Sequence, residues 1–223
     1  MPLFDDWPER YRRWFATPIG ALVKRFELEL LLELLQPRPG DRLLDAGCGS
    51  GIFTAPLIVR GAAVVGVDQS LPMLRHAVGS LPAAHFAPVA ADLRALPFAD
   101  GRFDHCVSVT ALEFVAEGRR AVAELFRVTR PGGRIVVATL NRLGPWAARR
   151  TAAARADAGS VFRQAHFRSP DELAALAPVA GEVRSAIHFP RECDPARAET
   201  LERAGAARGL ATGAFVVASW RKP

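Results

Sequence analysis

At 223 residues, half of them hydrophobic, the chain suits a single α/β-sized domain with one sizeable core. Arg, Asp or Glu interrupts each apolar run before the roughly 18 to 20 residues that a bilayer span requires, which excludes a membrane-spanning reading. The formal net charge of +6 does not by itself point to nucleic acid: arginines are spread along the chain, Lys24 and Lys222 are the only lysines, and the basic clusters Arg10, Arg12, Arg13 and Arg142, Arg149, Arg150, Arg155 lack interleaved aromatic platforms.

The opening MPLFDDWPERYRRWF is acidic and then basic with no apolar h-region, so a cytoplasmic location is expected. Leu22 to Leu35 carries apolar residues at helical spacing and stops at Gln36-Pro37-Arg38-Pro39-Gly40. Short apolar runs then alternate with helical patterns. Arg42–Ala46, Ala63–Val67, Phe86–Ala90, His105–Val109 and Arg134–Leu140 read as strands, with helices over Ile52–Arg60, Leu71–Gly79 and Glu117–Thr129 between them. Parallel strands need crossovers, and the crossovers cover both faces, so the fold class is α/β: a mostly parallel sheet wrapped by helices.

Asn141 to Gln164 is rich in Ala and Arg with weak periodicity and reads as an inserted helix or cover. Ser169-Pro170-Asp171-Glu172 opens a short helix, Val183–Phe189 is strand-like, Pro195–Arg208 helical and Ala214–Trp220 a closing strand. The last two strands are expected to pair antiparallel at the sheet edge. Without a repeat or a long linker the chain divides into a helical cap (1–40), a ligand-binding core (41–140) and a substrate-side cover (141–223) of one domain. Cys48, Cys106 and Cys193 are odd in number and far apart, with no C-x-x-C pair and no His at ligand spacing, so they read as reduced thiols and no metal site is expected.

The chemistry is concentrated in Leu43-Leu44-Asp45-Ala46-Gly47-Cys48-Gly49-Ser50-Gly51. Glycines 47, 49 and 51 remove side chains where the backbone turns off a strand and a ligand approaches the main chain. The spacing is G-x-G-x-G, with Ile52 where the dinucleotide fingerprint has its third glycine. Val64-Val65-Gly66-Val67-Asp68 places a carboxylate at the end of the second strand, where it accepts both hydroxyls of a ribose. Ala90-Ala91-Asp92-Leu93 places another at the end of the third, with Asp92 facing an adenine amine and the Leu93 N–H a ring nitrogen. The bland alternatives are helix capping by Asp68 and loop capping by Asp92.

Three such elements in this order, with Leu96-Pro97-Phe98, Phe103-Asp104 and Arg127-Val128-Thr129-Arg130-Pro131-Gly132-Gly133-Arg134, resemble the class I S-adenosylmethionine-dependent methyltransferases over about Asp41 to Leu140. The similarity is to the type 11 branch that includes ubiquinone/menaquinone-biosynthesis enzymes. The resemblance implies a seven-stranded Rossmann-like sheet with an antiparallel last strand and S-adenosyl-L-methionine as cofactor. By resemblance, Asp45 and the loop glycines hold the methionine end, and Gln69 and Met73 flank ribose and adenine, Met73 reading equally as a packed helix residue. Val109 and Thr110 face the cofactor's amino group. Tyr11 reaches the methionine carboxylate, although Arg12 stands where many relatives have Asp. Glu113 occupies a position where many relatives carry His near the transferred methyl; a solvated Glu is the alternative.

The expected reaction is in-line methyl transfer to a small-molecule acceptor. Orientation alone supplies roughly 7 to 11 kcal/mol in favourable cases, so a catalytic base is optional. Glu113, His166 and His188 are the substrate-side candidates. The acceptor atom, O, N, C or S, stays open, since one fold serves all four. The alternatives carried forward are a nucleic-acid methyltransferase, a nicotinamide-type oxidoreductase and a non-catalytic S-adenosylmethionine-binding protein.

Overall fold

The computed structural model describes residues 7–223. Two helices precede the sheet, α1 (Pro8–Phe15) and α2 (Pro18–Leu35). Thr17 joins them: its hydroxyl donates to Trp14 O (2.7 Å) and accepts from Gly20 N (3.1 Å), capping α2. The expected start at Leu22 missed the first turn, because Pro18 at the N1 position opens the helix before the apolar stripe begins. Gln36, in the left-handed region at φ 50, ends α2 just before Pro37.

From there the chain alternates through β1 (Arg42–Ala46), α3 (Thr54–Val59), β2 (Ala63–Asp68), α4 (Leu71–Ser80), β3 (Phe86–Ala90), β4 (His105–Val109), α5 (Gly118–Val128) and β5 (Arg134–Leu140). The last third adds α6 (Ala147–Ala156), α7 (Pro170–Ala174), β6 (Glu182–Ala186), α8 (Pro195–Ala207) and β7 (Phe215–Arg221). Ser169 and Glu172 form the reciprocal capping box of α7 that their spacing announces.

The seven strands make one sheet in the order β3-β2-β1-β4-β5-β7-β6. Strands β1 to β5 pair parallel, and β7 inserts antiparallel between β5 and β6. The expected antiparallel pairing of the last two strands is present, with β7 inside the sheet and β6 at its edge. The strand expected over Val183–Phe189 stops at Ala186, because Ile187 adopts a left-handed φ of 67 and releases Phe189 into the core.

Alternate residues of each strand feed two cores. Leu43, Val64, Val107, Val136 and Val217 pack against α2, α3 and α4 on one face; Leu44, Val67, Cys106, Ile135 and Val216 pack against α5 and α7 on the other. The Leu96-Pro97-Phe98 turn is tied to α5 by Arg127, which donates to Leu96 O (2.9 Å), Phe98 O (2.7 Å) and the Glu124 carboxylate. Phe98 stands edge-on to Phe103, centroids 5.0 Å apart. Strand order reverses between β1 and β4, so the carboxyl ends of β1, β2 and β4 border a crevice, where open α/β sheets bind ligands.

Candidate active site

Two adjoining cavities open at this crevice. The first, about 430 Å³, is walled by the loops after β1, β2, β3 and β4 and by Tyr11 of α1. The glycine loop forms because its N–H groups have partners: Gly47 N and Cys48 N both donate to Val67 O, at 2.7 and 3.0 Å. Gly47 sits at φ +82, and a Cβ there would collide with Ala111 Cβ, so the β1 and β4 loops approach as closely as they do only through glycine.

Asp68 fixes the same loop from the side. Its Oδ2 accepts from Gly49 N (2.9 Å) and its Oδ1 from Ser70 N (2.8 Å), while Ser70 caps α4 through its own hydroxyl. Helix capping therefore falls to Ser70. Asp68 lines the cavity while holding the loop in this way. Asp92 is gripped in a bidentate pair by Arg94, Nε and Nη2 lying 3.0 and 2.6 Å from Oδ2. That guanidinium is the first cause that holds the Asp92 carboxyl below its usual range. Arg94 itself lines the cavity, a neighbour with no distinguishing signal in the sequence.

Tyr11, Gly47, Gly49, Asp68, Gln69, Met73, Asp92, Leu93, Val109 and Thr110 all reach this one wall. Asp45 and Gly51 do not. Asp45 is buried behind the loop, accepting from Thr54 Oγ1 at 2.6 Å, and burial pushes its carboxyl up to about 6. Gly51 packs on Leu81 beyond the end of α4. Both shape the loop without lining the cavity. Met73 does line it, though only 5% exposed.

The second cavity, about 310 Å³, shares Tyr11, Phe53, Thr110 and Phe114 with the first. Trp14, Phe15, Trp146 and Phe162 give it aromatic sides. Thr110, on the shared wall, holds φ 47, a strained conformation for a β-branched residue that costs on the order of 1–3 kcal/mol and is typical of functional sites. Burial pushes the Tyr11 phenol up to about 12, with the Glu113 carboxyl adding to it, so it stays protonated across the physiological range.

Glu113, Glu27 and Arg150 bring charge to this apolar space. Glu113 lies in a 3-10 turn, Leu112–Phe114, and is fully buried, which excludes the solvated reading; burial pushes its carboxyl up to about 7. Glu27 sits on the buried stripe of α2 with Val23, Leu30, Leu31 and Leu34, and burial pushes it up to about 8. A carboxylate in phase with that stripe was a visible sign in the sequence. Arg150 had none: Trp146 and Ala214, which cover it, are brought there by tertiary packing. Burial lowers its guanidinium to about 10.

The two histidines do not join this site. The ring of His166 is exposed, and its backbone N–H donates to Glu113 O (2.6 Å). His188 packs against Gly205 of α8, with Nε2 3.2 Å from Ser185 O and its N–H on the Glu202 carboxylate. Both support the structure around the cavities from outside them.

Comparison with known proteins agrees with this geometry. Residues 44–137 match the family described as a methyltransferase domain. The matched stretch, from β1 into β5, is similar to methyltransferase domains and is the part of the sheet that borders the crevice. Among curated relatives, a malonyl-[acyl-carrier protein] O-methyltransferase of Pseudescherichia vulneris is 42% identical over 54% of this chain and 47% of its own length. A demethylmenaquinone methyltransferase of Beutenbergia cavernae is 38% identical over 65% of this chain and 59% of its own. The chain thus spans about half to three fifths of the length of these relatives.

Solved structures share the whole fold. A possible histamine N-methyltransferase from Thermotoga maritima superposes with a TM-score of 0.72 over 99% of this chain and 98% of that one, at 23% identity. A methyltransferase from Mesorhizobium loti gives 0.64 over 92% and 98%, at 24% identity. No helix among the described residues is long and apolar enough to cross a membrane.

Proposed function

We propose that this chain binds S-adenosyl-L-methionine in the first cavity and transfers its methyl group to a small-molecule acceptor held in the second. The observation that carries the reading is the convergence of the glycine loop and the β2, β3 and β4 ends on one cavity that opens directly into another. The residues fit an adenosyl amino acid. Asp68 offers a carboxylate to a ribose diol, Leu93 and Met73 offer apolar surface to a base, and the bare backbone of the Gly47–Gly49 turn admits an amino-acid tail beneath Tyr11. The volume lies in the ordinary range for ligand sites.

When bound, the cofactor supplies an electrophilic methyl on a sulfonium with a good leaving group. The chain's contribution is placement. The shared wall of Tyr11, Phe53, Thr110 and Phe114 sets the distance between the cavities, and the aromatic sides of the second exclude water from the reacting end of an acceptor. Helices α1 and α2 serve as the cap, residues 41–140 as the cofactor half and 141–223 as the acceptor cover of one domain. The methyltransferase names of the curated relatives support the reaction class, and the missing third glycine at Ile52 weighs against a nicotinamide cofactor.

Thermal unfolding with S-adenosylmethionine, S-adenosylhomocysteine and NADH in parallel tests this. A native-state ligand at 100 times its dissociation constant adds about 2.7 kcal/mol, raising the midpoint by several degrees in a domain of this size. A rise with both adenosyl ligands and none with NADH is expected; a rise with NADH alone overturns the assignment.

A further inference from the structure

Glu113 is buried with one of its oxygens unspoken for. Its Oε2 has no hydrogen-bond partner among the described residues; its Oε1 accepts a long contact, 3.4 Å, from Leu140 N, and the residue's own N–H also acts on the carboxyl. A buried carboxyl oxygen without a donor is costly, so a site that keeps one has a donor to come. The residue lines the second cavity, flanked by Thr110 and Phe114 of the wall shared with the cofactor cavity.

The surroundings indicate which donor. Glu27 lines the same cavity from α2 and makes no hydrogen bond or ion pair with a described residue. Arg150 is the buried cation of the group, yet it lies beyond ion-pair distance of both carboxyls; it donates to Ala214 O at 3.3 Å and leans over the Trp146 ring. Among the described residues, neither carboxyl therefore has a cation in direct contact with it. Of the other basic side chains on the lining, Arg149 is 55% exposed and paired with Glu192, and Arg191 lies over Trp14, its guanidinium carbon 4.3 Å from the ring centroid. The aromatic faces favour an organic cation, worth about 0.5–2 kcal/mol per well-placed ring.

Resting on the methyltransferase reading above, we propose that the second cavity takes an acceptor with an apolar or aromatic body and a terminal amine, and that Glu113 binds the ammonium and accepts its proton. In the transfer, one N–H proton passes to Glu113, the freed nitrogen lone pair forms the N–C bond, and the C–S bond breaks with its electron pair going to sulfur. The N-methylated ammonium departs and Glu113 returns its proton to solvent. A carboxyl held near neutral suits that task. The groups facing it are Tyr11 from α1, Glu27 from α2, Arg150 from α6, and Arg168.

Calorimetry on the full chain with 2-phenylethylamine, 2-phenylethanol and 3-phenylpropanoate, which match in size and differ in the terminal group, tests the proposal with and without S-adenosylhomocysteine. The amine is expected to bind at least tenfold more tightly than the alcohol, and the carboxylate more weakly than either. E113Q, which keeps shape and removes charge, should lose at least tenfold in amine affinity and little in alcohol affinity; E27Q should lose a smaller factor. Equal or tighter binding of the alcohol or carboxylate, binding of none of the three, or an amine affinity untouched in E113Q overturns it. Binding of S-adenosylhomocysteine is read separately in the same titrations, so failure of the cofactor reading is distinct from failure of the amine reading. Unchanged affinity for that ligand in both variants shows that they fold.

Discussion

Asp68 pins the β1 loop through Gly49 N and, on the proposed function, faces the ligand's ribose from the cavity wall. Asp68→Ala is therefore expected to weaken S-adenosylhomocysteine binding by about 10- to 100-fold, the loss of one or two hydrogen bonds to a charged group. The unliganded fold should lose only about 1 kcal/mol, since the residue lies at a strand end outside both cores. Calorimetry and a urea titration of the same variant measure the two effects; unchanged affinity would sink the ribose role. Asp68 was legible because a carboxylate closing an apolar strand has few other uses. Asp45 carries a similar sequence signal, but Thr54 holds it inward, a contact that depends on how α3 sits under the loop.

At the scale of elements, the segment most dependent on a single side chain is the turn at Leu96-Pro97-Phe98. Arg127 reaches it across 29 to 31 positions of sequence to satisfy two carbonyls and to pair with Glu124 and Asp100. Arg127→Ala leaves Phe98 O without its side-chain donor and Leu96 O with the Phe98 N–H alone, and is expected to destabilise the fold by about 1–3 kcal/mol in denaturant titration. Because Asp92 and Leu93 lie just before the turn, S-adenosylhomocysteine affinity should fall a few-fold as well. An effect on affinity with none on stability would refute that structural role. The five parallel strands and α4, α5 and α7 were legible within a residue or two, since buried parallel strands are short continuous apolar runs and Ser-Pro-Asp-Glu is a helix start. The end of β6 was not, because nothing in Ile187-His188-Phe189 marks a left-handed residue.

For the molecule as a whole, the buried carboxyls make stability depend on pH. In the fold Glu27 and Glu113 keep their protons up to about 8 and 7, against an ordinary value of 4.5. Between pH 4.5 and 8 the folded chain therefore binds more protons than the unfolded one, and this contribution to stability falls as pH rises. Glu27→Gln removes the penalty at that site. The variant is expected to match the wild type to within about 1 kcal/mol near pH 4.5 and to exceed it by roughly 4 kcal/mol at pH 8, measured by urea unfolding of the unliganded protein. Equal stability at both pH values would place the Glu27 carboxyl in contact with water.

The sequence alone determined the sheet, its helical wrapping and which strand-end residues line the first cavity, because those rest on local signals: apolar runs of strand length, glycines at a turn, carboxylates at strand ends. The second cavity was decided by tertiary structure. Glu27, Glu113 and Arg150 come from helices and a turn far apart in the chain. What makes them chemical is shared burial behind Trp14, Phe15 and Trp146, which raises the cost of charge there, and burial of that kind exists only once α1, α2 and α6 have closed over the end of the sheet.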